Sequence, residues 1–287
     1  MNDQITDDQI TDKRSLASRL DLTDRHVVVT GAASGLGLAM CRGLLEFGAH
    51  LTAIDRDSAF LDAAAADLGV DESRLALRVC DVSDRGVITT VITQRATELG
   101  RLDAVFANAG IAGGPSLEFD EGRIYDLDWK TFDNALAVNL QGALATIRAA
   151  AIAMRPGKRG SIVATLSTAG LRGESMVGYG YNASKAALTN LVREAAIDLA
   201  RDGIRVNGIA PGPIRNTRIG GSGPAPKEVE EKWSSTVPMG RMGRPEEIQG
   251  LANLLASDAS SFMTGAVYAV DGGATAGYFA TLPPDAQ

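Results

Sequence analysis

Past residue 25 the chain alternates between two hydrophobic patterns. Short β-branched or small apolar runs occur at 26–30 (HVVVT), 50–54 (HLTAI), 75–79 (LALRV), 102–107 (LDAVFA), 161–166 (SIVATL), 203–210 (GIRVNGIA) and 266–270 (AVYAV). Between them lie longer stretches with apolar positions three and four apart, which predict helices near 35–47, 57–68, 84–99, 129–154, 181–201 and 245–257. The strand runs are continuously apolar, as strands buried on both faces must be. Strand and helix repeating in this way build right-handed βαβ units. The expected fold class is therefore α/β: a doubly wound, parallel, seven-stranded sheet with helices on both faces.

The same pattern sets the domain organisation. Residues 23–287 read as a single domain without a linker. The richest Gly/Pro stretch, GGSGPAP at 220–226, falls inside a segment at 213–241 that reads as a surface loop or substrate lid. Residues 1–22 are polar, with a tandem DQITD at Asp3–Asp7 and Asp8–Asp12, and read as a flexible, loosely packed tail.

Composition narrows the chemistry. Of 287 residues, 45% are hydrophobic and 22% charged, the balance of a globular protein. There are 32 glycines but two histidines and two cysteines. His26 and His50 each sit in an apolar strand run without a ligand neighbour at metal spacing, so no metal site is expected. Cys41 and Cys80 stand far apart without a CxxC pattern, which suits a reducing, cytoplasmic setting. No run of about 18 apolar residues is evident, and the acidic N-terminus has no apolar signal-peptide core. A net charge of −7 without a basic cluster speaks against nucleic acid and anionic membranes as partners.

The glycines have a pattern of their own. Thr30-Gly31-Ala32-Ala33-Ser34-Gly35-Leu36-Gly37 ends the first strand and opens the first helix. A turn of this kind lets backbone approach a pyrophosphate and aims helix N–H groups at it. Its TGxxxGxG spacing differs from GxGxxG. Asp55 closes the second strand, where a carboxylate can accept both ribose hydroxyls of an adenosine and repels a 2′-phosphate. Arg56 is the one neighbour that would favour that phosphate. The charge of Asp55 points to NAD over NADP. Asp81-Val82, Asn108-Ala109-Gly110, Ser167 and Pro211-Gly212 each follow a strand, so the polar and glycine positions gather along one sheet edge, where open α/β sheets bind ligands.

A second pattern concerns proton chemistry. Tyr181-Asn182-Ala183-Ser184-Lys185 puts a phenol and an ammonium one helical turn apart on one face. A phenol titrates near pH 10, too high for a base at neutrality. An ammonium about 4 Å away contributes roughly 4 kcal/mol at an effective dielectric of about 20. That lowers the phenol by about three pH units, enough for general acid–base work. A hydroxyl such as Ser167 could hold the substrate oxygen.

These motifs together resemble the short-chain dehydrogenase/reductase family over about residues 24–274. They are TGxxxGxG, Asn108-Ala109-Gly110, Asn139, Ser167, Tyr181-x-x-x-Lys185, Pro211-Gly212 and Val270-Asp271-Gly272-Gly273. The resemblance implies a Rossmann-like three-layer sandwich and an NAD-dependent enzyme interconverting a secondary alcohol and a ketone without metal. It makes Tyr181 the acid/base, Lys185 its modulator and a ribose ligand, Ser167 the substrate-orienting group and Asn139 part of a water relay. Asp81 and Val82 would contact adenine. Asn108 and Gly110 would line the cofactor groove, and Ile214 would meet the carboxamide, with Asn216 or Thr217 bonding to it. A homotetramer formed through the helices at 129–154 and 181–201 is also implied. Alternatives are a 3-oxoacyl reductase or NADP-dependent ketoreductase, an NAD-using epimerase or dehydratase, and a non-catalytic NAD sensor. Glu174 reads as a solvated loop charge in preference to a substrate ligand, Tyr179 as a wall or packing residue, and Trp233 and Met239 as lid residues.

Overall fold

A computed structural model describes residues 13–215, 217 and 226–277. Each expected strand run forms a strand: β1 His26–Thr30, β2 His50–Asp55, β3 Leu75–Val79, β4 Ala104–Ala107, β5 Gly160–Thr165, β6 Ile204–Pro211 and β7 Val267–Val270. All pair in parallel in one sheet of order β3-β2-β1-β4-β5-β6-β7. The order reverses at β1, whose Val27 lies in register with Leu51 of β2 on one side and Ala104 of β4 on the other. That switch point opens a crevice beyond the carboxyl ends of β1 and β4.

The continuous apolar runs are explained by burial on two faces. In β1, Val28 points into a cluster with Ile88, Ile147 and Leu188, while Val27 and Val29 join Met40, Phe106 and Leu255 on the opposite face. Alternate side chains of one strand thus serve two cores. The first core is covered by α4 (Arg85–Leu99), α6 (Ala143–Met154) and α7 (Tyr179–Leu199). The second is covered by α2 (Gly35–Glu46), α3 (Ser58–Leu68) and α9 (Gln249–Ala256). Local signals fix the ends. Asp84 caps α4 by accepting from the Gly86 and Val87 amides, and Gly100 closes it in the left-handed region.

Three expectations need correction. Residues 1–12 of the expected tail lie outside the described residues, but its last part packs. Ser15 caps the short helix α1 (Leu16–Leu20), Leu22 is fully buried in the second core, and Asn253 donates to the Leu20 carbonyl at 3.2 Å. One well-placed leucine in a polar stretch carries no periodic signal. The helix expected at 129–154 is not uniform: α5 (Trp129–Leu136) passes through a π turn at Ala137–Gly142 before α6. The segment 213–241 is not all loop, because α8 (Lys227–Ser235) forms within it. Among the described residues, the continuous helical stretch Trp129–Gly157 is long and apolar enough to cross a membrane. Half of its apolar window is buried inside the domain, where it covers the first core.

Candidate active site and cofactor cleft

A cleft of about 1100 Å³ runs along the carboxyl ends of the strands. Its floor at the switch point is the turn after β1. Gly31 and Gly35 take positive φ, and a Cβ on Gly37 would stand 2.0 Å from the Gly31 carbonyl oxygen. Only glycine lets α2 start this close to β1. Ser34, Gly35 and Leu36 line the cleft, and the Ser34 side chain does not cap α2. The first-turn amides are therefore free to meet a phosphate. Gly37 lies beneath the turn and serves its packing. These features fit a dinucleotide pyrophosphate.

Asp55 ends β2 at the cleft, where its carboxylate accepts from the Ala33 amide at 3.2 Å and the Asp57 amide at 3.3 Å. A carboxylate offers about four acceptor sites, so room for ribose hydroxyls remains. Arg56 also lines the cleft. Asp81 beside it is held below the usual carboxylate range. Burial opposes that shift, but hydrogen bonds from the Ser83 amide and hydroxyl and the charge of Arg56 outweigh it. Val82 lines the cleft beside them.

Asn108 is a tie between strands. Its Nδ2 donates to the Thr30 and Gly31 carbonyls at 3.0 and 3.2 Å, and its Oδ1 accepts from Thr165 Oγ1 at 2.9 Å. With its side chain spent on β1 and β5, it shapes the groove beside Ala109 and Gly110. Gly110 carries no Cβ that would press to 3.3 Å from Asn139 Oδ1.

At the other end Ser167, Tyr181 and Lys185 open onto the same cleft. Ser167 follows β5 and its hydroxyl accepts from the Ala169 amide at 3.1 Å. The first turn of α7 seats Tyr181 because Gly113 and Gly180 let the backbones touch. A Cβ on Gly113 would meet the Tyr181 nitrogen at 2.0 Å. Burial pushes the Tyr181 phenol above its ordinary value, and the neighbouring Ser167 hydroxyl pulls it back in part. Burial lowers Lys185 to about 8. Lys185 does not lower the phenol as its spacing anticipates. Lys185 Nζ donates to the Thr165 carbonyl at 2.7 Å and lies 5.7 Å from the centre of the Tyr181 ring. In this low-dielectric setting desolvation outweighs the Coulombic gain anticipated from spacing alone.

Asn139 does not line the cleft. It is fully buried in the π turn, where its Oδ1 accepts from the Ile111 amide at 2.8 Å. Its Nδ2 donates to the Ile111 carbonyl at 2.9 Å and to Ser184 Oγ at 3.2 Å. It thereby locks the loop after β4 to the Tyr181 helix. Pro211, Gly212, Ile214 and Thr217 border the same cleft. Thr217 Oγ1 faces the Ile214 carbonyl at 3.4 Å, while Asn216 lies outside the described residues.

The structure adds residues that spacing did not reveal. Glu174, expected in solvent, is tucked in with its side chain 10% exposed and lines the cleft. Thr165, inside β5, binds Lys185 through its carbonyl and Asn108 through its hydroxyl, and no motif marks it. α8 brings Val229, Glu230, Lys232 and Trp233 over the substrate end. It is tied down by ion pairs between Lys232 and Glu118 and between Arg215 and Glu230. Met239 is 65% exposed and away from the cleft, and Tyr179 lines a neighbouring cavity of about 660 Å³. Among the described residues no group of three His, Cys, Asp or Glu side chains could hold a metal.

Comparison with known proteins agrees with this geometry. Residues 31–275 match the family model described as enoyl-(acyl carrier protein) reductase. The chain belongs to the short-chain dehydrogenase/reductase family. It is 36% identical over 259 residues to 2-(S)-hydroxypropyl-CoM dehydrogenase 3 of Xanthobacter autotrophicus, covering 89% of this chain and 98% of that one. It is 36% identical over 253 residues to cis-4-hydroxycyclohexanecarboxylate dehydrogenase of Sinomonas cyclohexanicum, covering 88% and 97%. The crystal structure of NAD⁺-bound xylitol dehydrogenase superposes with a TM-score of 0.79 at 30% identity, covering 88% of this chain and 99% of that one. The chain is thus an oxidoreductase of CH–OH groups that uses a nicotinamide cofactor.

Proposed function

We propose that this protein is an NAD(H)-dependent dehydrogenase interconverting a secondary alcohol and a ketone. The observation that carries the reading is that Ser167, Tyr181 and Lys185 open onto the same cleft as the Gly31–Gly37 turn and Asp55. The turn amides would hold the pyrophosphate, Asp55 the adenosine ribose, and Asp81 and Val82 the adenine. Lys185 would hold the second ribose, and Ile214 and Thr217 the carboxamide. The bound nicotinamide supplies hydride transfer, which no side chain can perform.

The chain's own groups handle orientation and the proton. Ser167 Oγ holds the substrate oxygen, with the Ala169 amide already fixing its rotamer. Tyr181 Oη takes the alcohol proton in one direction and returns it in the other. Its raised starting point makes it a ready acid for ketone reduction, and oxidation requires added positive charge beside it. Asn139 fixes the loop at Ile111. Its side chain is occupied, so a proton relay would use its main-chain carbonyl. Buried free Cys41 and Cys80 are compatible with a cytoplasmic setting. Exposed Trp129, Leu144, Ile152 and Ile197 give the proposed homotetramer an apolar surface.

Tyr181→Phe tests the assignment. Binding of NADH, read by its fluorescence, should persist, while turnover falls about 10²- to 10⁴-fold. A variant that keeps most of its turnover would overturn the role given to Tyr181.

A further inference from the structure

Midway between Ser167 and Tyr181 the chain faces solvent: Leu171, Arg172, Gly173 and Ser175 are exposed. Glu174 alone among these five turns inward. It is held there by the residue after Tyr181. The Glu174 amide donates to Asn182 Oδ1 at 3.1 Å, and Asn182 Nδ2 donates back to the Glu174 carbonyl at 3.0 Å. The position of this carboxylate is therefore registered to the acid/base helix.

Its bonding capacity is not used up. Oε1 accepts from the Met176 amide at 3.3 Å, and Oε2 faces Arg172 Nη2 at 3.5 Å. Both contacts are long, and a carboxylate has about four acceptor sites. The wall around it holds the apolar Met176, Val177, Trp233 and Met242 together with the ion pairs Lys232–Glu118 and Arg215–Glu230. An acceptor with spare lone pairs in such a wall calls for a donor on the ligand, since leaving it dry costs free energy.

The surrounding charges say what kind of donor. Among the described residues that reach this end, Arg215 and Lys232 are each paired with a glutamate of their own, Arg172 faces Glu174 itself, and Lys185 Nζ is spent on the Thr165 carbonyl. A substrate bearing a carboxylate or sulfonate would meet Glu174 without a free cation to offset it. A neutral substrate with a second hydroxyl meets no such penalty.

Building on the dehydrogenase reading above, we infer that Glu174 accepts a hydrogen bond from a second hydroxyl of the substrate. The enzyme therefore selects neutral diols and polyols over simple and anionic secondary alcohols. Glu174 is then a specificity residue, separate from the group that moves the proton.

The test is a set of matched alcohols with NAD and with NADP: cyclohexanol against cis-1,2-cyclohexanediol, 2-butanol against 2,3-butanediol, and 3-hydroxybutyrate as the anion. The wild type should prefer each diol by about 10- to 100-fold in kcat/KM, the value of a hydrogen bond to a charged group. Glu174→Leu should erase that preference by raising KM for the diols, leave the mono-ols little changed and improve 3-hydroxybutyrate. Glu174→Gln, which keeps an acceptor oxygen without charge, should fall between, and it carries the test if Glu174→Leu no longer binds NADH. An undiminished diol preference in the variants, or a wild type that works best on 3-hydroxybutyrate, overturns the assignment to Glu174 alone. Absence of turnover across the whole set with both nicotinamides would instead overturn the dehydrogenase reading on which it rests.

Discussion

Lys185 Nζ donates to the carbonyl oxygen of Thr165 at 2.7 Å, and the ring centre of its helical neighbour Tyr181 lies 5.7 Å away. Burial acts on the two side chains in opposite directions, raising the phenol and lowering the ammonium to about 8. The lysine to which the proposed mechanism assigns the nicotinamide ribose is thus one that the fold holds against its own charge.

That cost has a defined pH dependence. Lys185 falls from its ordinary 10.5 to about 8 on folding, which at about 1.36 kcal/mol per pH unit is ~3 kcal/mol. Below pH 8 the folded protein carries the whole penalty. Between 8 and 10.5 the unfolded chain binds more protons than the folded one, so stability contributed by this group rises with pH. Lys185→Met lacks the group. From pH 7 to 10 the wild type should therefore gain about 2 to 3 kcal/mol relative to the variant, in urea melts at each pH. Parallel stability curves would refute the buried-ammonium account, whatever the variant does to turnover.

The two amides on Asp55 make a second prediction. Ala33 and Asp57 bond to it weakly, at 3.2 and 3.3 Å, so its charge is available to a ligand. Asp55→Ala should lower the ratio of kcat/KM for NAD over NADP at least tenfold, because the repulsion of a 2′-phosphate disappears while Arg56 stays. The loss of two long backbone hydrogen bonds should cost stability only about 1 kcal/mol. An unchanged cofactor ratio would show that the β2 end does not discriminate.

Much of this was legible in the chain, for physical reasons that differ by element. Strands such as β1 and β4 fall on the expected runs because burial on both faces leaves no choice of residue type. The Gly31–Gly37 turn was legible because its backbone admits nothing else. Spacing also placed Tyr181 and Lys185 on one face. What spacing could not supply was the surroundings. Glu174 reads as a loop charge until Asn182 is seen to turn it inward. α8, with the sequence KEVEEKWSS, is highly charged and buries no whole residue, so its pattern is that of a solvated loop. The π turn at Ala137–Gly142 has the same apolar spacing as the helix around it. The Tyr181–Lys185 electrostatics went astray because a Coulomb attraction can be written from sequence, whereas desolvation needs the packed structure.

The last prediction concerns Gly113, a residue without a motif. It takes no left-handed φ, so conformational freedom is not what it supplies. A Cβ there would lie 2.0 Å from the Tyr181 nitrogen and 2.6 Å from the Gly180 carbonyl carbon, both backbone atoms that no rotamer change can move aside. Alanine must push the loop after β4 and the start of α7 apart. Asn139 resists, because it binds Ile111 in that loop and Ser184 in that helix. The displacement therefore falls on the Tyr181 phenol, and a shift of about 1 Å in a catalytic group costs around 10²-fold in rate. Gly113→Ala should lower kcat by that order while NADH binding, which depends on the turn after β1, stays near wild type. Gly250→Ala is the matched control. It lies in α9 with nothing within 4 Å of the added methyl, and it should leave kcat alone and stabilise the protein by about 0.5 to 1 kcal/mol. If Gly113→Ala and Gly250→Ala turned over equally well, the loop after β4 would not be what sets the acid/base residue in place.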